Sequence, residues 1–255
     1  MLVLAFVQGV TEFLPVSSSG HLVLTQTFLG IKEGTIFFDV ILHAGTLGSV
    51  LVFYRRAIMR LLKFDRAALH YILALVVGSI PAAVVGLLLK DVVTELFKTP
   101  VAAAGGLIFT AAILFSTRFS ASQKTGVSEP WQPQALTPRQ AILIGCGQAF
   151  AILPGISRSG STIAVALWMG VPRAEAARFS FLLSVPVICG ALVLQLVSTE
   201  ISATDWPGVI TATVLAFLVG LVALRLTALA VVQAHFWKFS AYCLVVGLVA
   251  LAFLV

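Results

Sequence analysis

The sequence predicts an all-α polytopic membrane protein. About six transmembrane helices and two re-entrant helical hairpins are expected, arranged as an inverted-topology repeat. Three observations carry this expectation: an apolar composition, long uninterrupted apolar segments, and two polar motifs that echo each other about 140 residues apart. Of the 255 residues, 60% are hydrophobic and only 10% charged, with a mean hydropathy of +1.08. A soluble domain carries roughly 25% charged residues, so this chain lacks the polar surface that coats a globule in water.

The elements follow in chain order. Residues 2–30 are apolar but broken near their centre by Leu14-Pro15-Val16-Ser17-Ser18-Ser19-Gly20-His21. Each arm is about half a span long, which suits a re-entrant hairpin. Spans are expected near 37–54, 71–89 and 100–117, each long enough for roughly 30 Å of hydrocarbon. A hydrophilic stretch, Arg118 to Arg139, divides the halves. A second broken region, 140–170, carries Leu153-Pro154-Gly155-Ile156-Ser157-Arg158-Ser159-Gly160-Ser161-Thr162, with one residue inserted after the proline. Spans near 179–197, 207–225 and 239–255 complete the chain. Pro81 and Pro186 fall inside two spans and predict kinks, which membrane helices tolerate.

The echo extends beyond the motifs. Leu29-Gly30-Ile31 aligns with Met169-Gly170-Val171, and Phe38 to Val52 with Phe179 to Val193. The chain thus reads as one membrane domain, 1–255, with repeat 1 at about 1–117, a cytoplasmic linker at 118–139 and repeat 2 at about 140–255. Three spans per repeat is an odd number, so the second copy is expected upside down. Inverted repeats place a shared site near the midplane, with broken helix ends pointing at it.

The net charge of +6 is read as topology rather than as a nucleic-acid footprint. Twelve of the sixteen Lys and Arg fall in the stretches 55–66, 118–139, 171–178 and 225–238. Lys32, Lys90 and Lys98 fall on the other side, and Arg158 lies in a motif. Cytoplasmic loops carry such an excess, so both termini are expected outside. Met1 is followed directly by apolar residues, with neither the basic stretch nor the cleavage site of a signal peptide. Cys146, Cys189 and Cys243 are isolated, without metal or disulfide spacing.

Polar residues inside these segments are the candidate site. Gln8 and Glu12, four apart, share one helix face, and an intramembrane carboxylate is a functional candidate. Ser17, Ser18 and Ser19 open the second arm, where Ser can cap a helix and the first N–H groups can cradle phosphate. His21 is placed three residues after Ser18, within reach for proton transfer. Arg158 is the sharpest residue: a planar fork suited to bidentate phosphate or carboxylate binding, costly near the bilayer centre. Ser157, Ser159 and Thr162 surround it with hydroxyls. The inverted repeat brings both motifs together, so an Arg158–Glu12 pair is compatible with a site. Gln148 takes a supporting role. His43 and Asp39 are weaker cavity candidates, and Trp131 and Trp206 fit interfacial or loop positions.

The motifs Gln8-Gly9-Val10-Thr11-Glu12-Phe13-Leu14-Pro15-Val16-Ser17-Ser18-Ser19-Gly20-His21 and Pro154-Gly155-Ile156-Ser157-Arg158-Ser159-Gly160-Ser161-Thr162 closely resemble the two signatures of the bacterial undecaprenyl-diphosphate phosphatase family, the bacitracin-resistance proteins. The resemblance covers essentially the whole chain. It departs at Gln8, where the family often has Glu, which counts against a two-carboxylate metal site.

The resemblance implies hydrolysis of a C55 isoprenyl diphosphate to the monophosphate and inorganic phosphate, recycling the lipid carrier of wall synthesis and conferring bacitracin resistance. It also implies a divalent cation, magnesium or calcium, and a site on the outer face of the bacterial plasma membrane. The expected partners are the polyprenyl diphosphate and membrane lipid, with no nucleic acid; a homodimer is compatible. Ser18 is favoured as the attacking group because it matches the family's middle serine. His21 or Glu12 would take its proton and Arg158 would stabilise the transferring charge. Direct attack by water stays open, as does Glu12 as a metal ligand. The competing class is a transporter or lipid flippase, which needs a binding residue such as Arg158 but no nucleophile.

Overall fold

The computed structural model describes residues 1–30, 36–120, 131–133, 136–198 and 206–254. Lys32, the side chain of Asp39, most of the polar linker and Glu200 lie outside the described residues. Among the described residues every element is helical. The first half holds α1 (Leu2–Phe13), α2 (Ser18–Phe28), α3 (Ile36–Phe53), α4 (Arg55–Leu61), α5 (Arg66–Leu88), α6 (Lys90–Phe97) and α7 (Pro100–Ser116). The second holds α8 (Pro138–Phe150), α9 (Arg158–Trp168), α10 (Arg173–Ser198), α11 (Trp206–Val232) and α12 (Phe239–Leu254).

Local chemistry explains the breaks. Pro15 disfavours helical geometry in the residue before it, and Leu14 is extended at φ −59°, ψ 142°, which ends α1. α8 instead ends at Phe150 and runs into a turn, with the Leu153 N–H bonded to the Phe150 carbonyl, before Pro154. Helix starts carry matching caps: Asp65 accepts the Ala68 N–H at 2.9 Å to open α5. Thr137 and Gln140 form a capping box on α8, with Pro138 at its first position. Pro81 and Pro186 lie within α5 and α10.

The side chains are sorted as they would be in lipid. On α5, Leu69, Leu73, Val76, Ile80, Val84 and Leu87 are exposed, and their three-to-four spacing makes one apolar stripe. The opposite face buries Ala68, Tyr71, Ala74, Gly78 and Ala82. α11 likewise exposes Ile210, Val214, Leu218, Val222, Leu226 and Leu229 and buries Ala212, Ala216, Gly220 and Ala223. Large residues outward and small residues inward is the pattern of helices packing in a bilayer, where close backbone approach drives association. Gly145 shows how close: a β-carbon there would run into the backbone of Gly78 across the α5–α8 contact. Five described helices, each ended by at most a short 3₁₀ turn, are long and apolar enough to cross a membrane. The chain is a multi-pass membrane protein.

Boundaries differ from expectation where spans are longer than hydrocarbon requires. α5 begins at Arg66 rather than 71, and α10 at Arg173 rather than 179. α11 runs 27 residues, about 40 Å. Arg225, expected in a loop, is therefore an exposed residue of α11. It stands about two turns from the helix end, close enough for a long side chain to reach the interface. The short helices α4 and α6 were not expected at all.

The main packing is crosswise between halves: α1 against α11, α5 against α8, α7 against α12, and α3 against both α10 and α11. α2 packs on α1, and α9 on α8. The two broken pairs meet at their turns, where a β-carbon on Gly20 would come within 2.8 Å of the Gly155 α-carbon.

Candidate functional site

The site forms where the two turns touch. Ser17 caps α2, its Oγ accepting the Gly20 N–H at 3.3 Å. Ser157 caps α9, accepting the Gly160 N–H at 3.0 Å. The first helical residue after each cap is Ser18 in one half and Arg158 in the other. Helical geometry leaves the N–H groups of each first turn unpaired within the helix, so both helices open on the same space.

Glu12, at the end of α1, joins the halves. Its Oε1 accepts from Arg158 Nη2 at 2.7 Å. Its Oε2 accepts from Ser18 Oγ at 2.7 Å and from Gln8 Nε2 at 3.1 Å. The carboxylate side chain is 7% exposed and the guanidinium side chain 17%. Distances this short are those of charge-assisted hydrogen bonds. Arg158 Nη1 is buried without a partner. His43, from α3, brings Nε2 to 3.8 Å from Glu12 Oε2.

These groups line a cavity of about 270 Å³. Glu12, Ser17, Ser18, Ser19, His43, Ser157 and Arg158 form its polar floor. Its apolar lining includes Ile152, Ile156, Val187, Ile188 and Leu192, together with Phe97 of α6. The cavity therefore sets an Arg158–Glu12 pair and several hydroxyls beside apolar side chains, which suits a ligand with an anionic head and an apolar tail.

Other candidates stand elsewhere. Gln8 is fully buried and acts on the cavity only through Glu12. Ser159 bonds the Leu14 carbonyl at 3.4 Å and Ser157 Oγ at 3.3 Å, tying the turns together from behind. Thr162 bonds the Arg158 carbonyl and the Ser180 hydroxyl. Neither Ser159 nor Thr162 lines the cavity. His21 turns away from Ser18: its Nδ1 lies 2.8 Å from the Ser17 carbonyl and its Nε2 2.9 Å from Tyr242 Oη. Gln148 is buried with neither amide atom paired.

The donor set does not make a resident metal cage. Glu12 is the one carboxylate lining the cavity among the described residues, and both its oxygens are taken by Arg158, Ser18 and Gln8. No cluster of three His, Cys, Asp or Glu suited to a metal occurs among the described residues.

Sequence reasoning missed a second buried polar cluster. Glu175 on α10 accepts from Tyr71 Oη at 2.7 Å, Trp131 Nε1 at 3.0 Å and Arg178 Nη1 at 2.8 Å. Arg178 also lies over the Trp131 ring, 4.7 Å from its centroid. Trp131, expected at an interface or in a loop, does lie in a loop, but its side chain is buried and ties the linker to α5 and α10. The signal was a Glu and an Arg three apart immediately before an apolar run. Phe97 was missed as well; a short polar stretch between spans gave no reason to expect a helix.

Residues 1–249 match the family described as Bacitracin resistance protein BacA. The chain is 36% identical over 267 residues to an undecaprenyl-diphosphatase of Korarchaeum cryptofilum, covering 99% of this chain and 98% of that protein. An undecaprenyl-diphosphatase of Desulfosudis oleivorans is 42% identical over 269 residues, with 98% and 96% covered. One of Christiangramia forsetii is 38% identical over 262 residues, with 99% and 96% covered.

Proposed function

The chain belongs to the bacitracin resistance protein BacA family, and we propose that its paired turns hydrolyse undecaprenyl diphosphate to undecaprenyl phosphate and inorganic phosphate. The observation that carries this reading is Glu12 held between Ser18 and Arg158, 2.7 Å from each. One carboxylate thereby touches both a candidate nucleophile and a candidate phosphate clamp.

The reaction runs in two transfers. Ser18 Oγ attacks the terminal phosphorus while Glu12 takes its proton, and undecaprenyl phosphate departs with the bridging oxygen. Protonation cancels the Glu12 charge, which weakens its hold on Arg158. The guanidinium then turns to the phosphoryl oxygens as their charge grows, the moment at which stabilisation lowers the barrier. Water next attacks the phosphoserine, Glu12 passes its proton back to the Ser18 oxygen as that bond breaks, and inorganic phosphate leaves. The isoprenyl chain lies along Ile152, Val187, Ile188 and Leu192. The described residues lining the cavity do not form a cage for the divalent cation implied by the family resemblance, and no step above runs through it.

Orientation completes the proposal. Phe97, which lines the cavity, lies between Lys90 and Lys98, assigned by the distribution of basic residues to the side poor in them, while Arg55 to Arg66 and Lys238 are assigned to the rich side. This supports a cavity open to the outer face of the plasma membrane and two halves of opposite topology. A transporter would need Arg158 but has no use for a hydroxyl bonded to a buried carboxylate.

The test is phosphate release from a long-chain isoprenyl diphosphate by purified protein, with and without chelator. Release that the chelator suppresses is expected. Well-folded protein releasing no phosphate with any of several divalent metals would reinstate the transport reading.

A further inference from the structure

Ser17 adopts φ 67°, ψ 101°, a conformation that side chains other than Gly rarely take. The second turn avoids this, because the extra residue Gly155 takes φ 82° and leaves Ser157 at a relaxed φ of −72°. The first turn has no such residue, so Ser17 itself must make the bend, immediately before Ser18. Something must hold it there.

The restraint runs through His21 to Tyr242. The Ser17 carbonyl accepts from the His21 backbone N–H at 3.2 Å and lies 2.8 Å from His21 Nδ1. A carbonyl only accepts, so Nδ1 carries the hydrogen and a neutral ring offers Nε2 as an acceptor. Tyr242 Oη, 2.9 Å from Nε2, then donates to it. The two rings are stacked, with centroids 5.7 Å apart and planes 7° apart. The next residue, Cys243, directs its thiol at the Pro15 carbonyl, 3.6 Å away. Two successive residues of α12 therefore brace the first turn, 221 positions away in sequence from His21.

We propose that Tyr242 is a positioning residue for the reaction: it fixes the His21 ring, which pins the Ser17 carbonyl and so presents Ser18 to Glu12. In this role His21 is a brace and not a proton carrier. The proposal rests on the phosphatase reading above for its kinetic consequence but not for its chemistry.

A double-mutant cycle on the full-length protein tests it, with phosphate release from a long-chain isoprenyl diphosphate as readout. Tyr242→Phe keeps the stacked ring and removes only the hydroxyl. Its kcat should fall roughly three- to tenfold, the worth of one hydrogen bond, with KM unchanged. His21→Ala should lower kcat about a hundredfold, as expected when a reacting group is misplaced. In the His21→Ala background, Tyr242→Phe should cost nothing further. His21→Asn, whose amide N–H can replace Nδ1–H but cannot relay protons, should recover about tenfold over His21→Ala.

Equal losses from Tyr242→Phe in both backgrounds would make Tyr242 an independent structural residue. His21→Asn no better than His21→Ala would return His21 to proton transfer. Nitrogen NMR on wild-type protein labelled at its histidines decides the matter without turnover or variants. Neutral His21 should carry its hydrogen on Nδ1, and a hydrogen on Nε2 would overturn the proposal. Absence of phosphate release from wild-type protein that shows the Nδ1–H tautomer would sink the phosphatase reading and leave the brace standing.

Discussion

The two turns start from nearly the same sentence and end as different machines. In Leu14-Pro15-Val16-Ser17-Ser18 the bend falls on Ser17, at φ 67°, and the first helical residue is a serine. In Leu153-Pro154-Gly155-Ile156-Ser157-Arg158 the inserted glycine takes the bend, at φ 82°, and the first helical residue is an arginine. Both first residues bond the same carboxylate, Ser18 through Oε2 and Arg158 through Oε1 of Glu12. The two capped helix starts face one another, with Gly20 packed against Gly155. In the proposed reaction the serine is the attacking group and the arginine the clamp. The positive φ at Ser17, a strain of about 1–3 kcal/mol for such a backbone, lies beside the serine that bonds Glu12.

Breaking the shared carboxylate should have the largest effect. Glu12→Gln keeps the shape but removes the charge, and with it the proposed base and the ionic partner of Arg158. Phosphate release should fall by about a thousandfold, within the range general bases supply. Arg158→Lys keeps the charge and loses the fork; kcat should drop about a hundredfold while the protein still inserts. If Arg158→Lys turns over near normally, Arg158 is not a bidentate clamp.

Stability should separate the turns by sign. A β-carbon on Gly155 would strike the Ala103 carbonyl at a positive φ, so Gly155→Ala should lower the thermal midpoint in detergent by several degrees, corresponding to a loss of about 2 kcal/mol. Ser17→Gly relieves the bend at the cost of a cap that glycine nearly replaces. It should raise the midpoint slightly while lowering kcat. Destabilisation by both changes would show that Ser17 is not strained.

Much of this was legible because the forces involved are local or compositional. Apolar segments give spans, Pro15 ends α1, and an Arg158 and a Glu12 set in apolar segments have strong reason to pair. The facing of α2 was not legible, because Tyr242, which claims His21, comes from the far end of the chain. Ser159 and Thr162 carry the right chemistry but face packed neighbours, and sequence spacing cannot tell a cavity wall from a seam. The Glu175 cluster needed Tyr71, Trp131 and Arg178 from three separate segments. Arg225 was misplaced because a helix need not stop where hydrocarbon does.

A subtler comparison is between the two sides of the membrane. On a background with Cys146, Cys189 and Cys243 replaced by Ala, single cysteines in 55–66 should label only from the cytoplasm, and single cysteines beside Lys98 only from outside. Labelling of both sets from one side would remove the opposed topology, and with it the reason for the turns to meet head-on.

The division of labour between the turns is tested most directly by quenching the enzyme early in turnover with a long-chain isoprenyl diphosphate and locating phosphate on the protein by mass spectrometry. Phosphate should be found on Ser18, and should be lost in Ser18→Ala but not in Ser17→Ala or Ser19→Ala. Phosphate on another residue, or full activity in Ser18→Ala, would contradict the assignment of Ser18 as the attacking group.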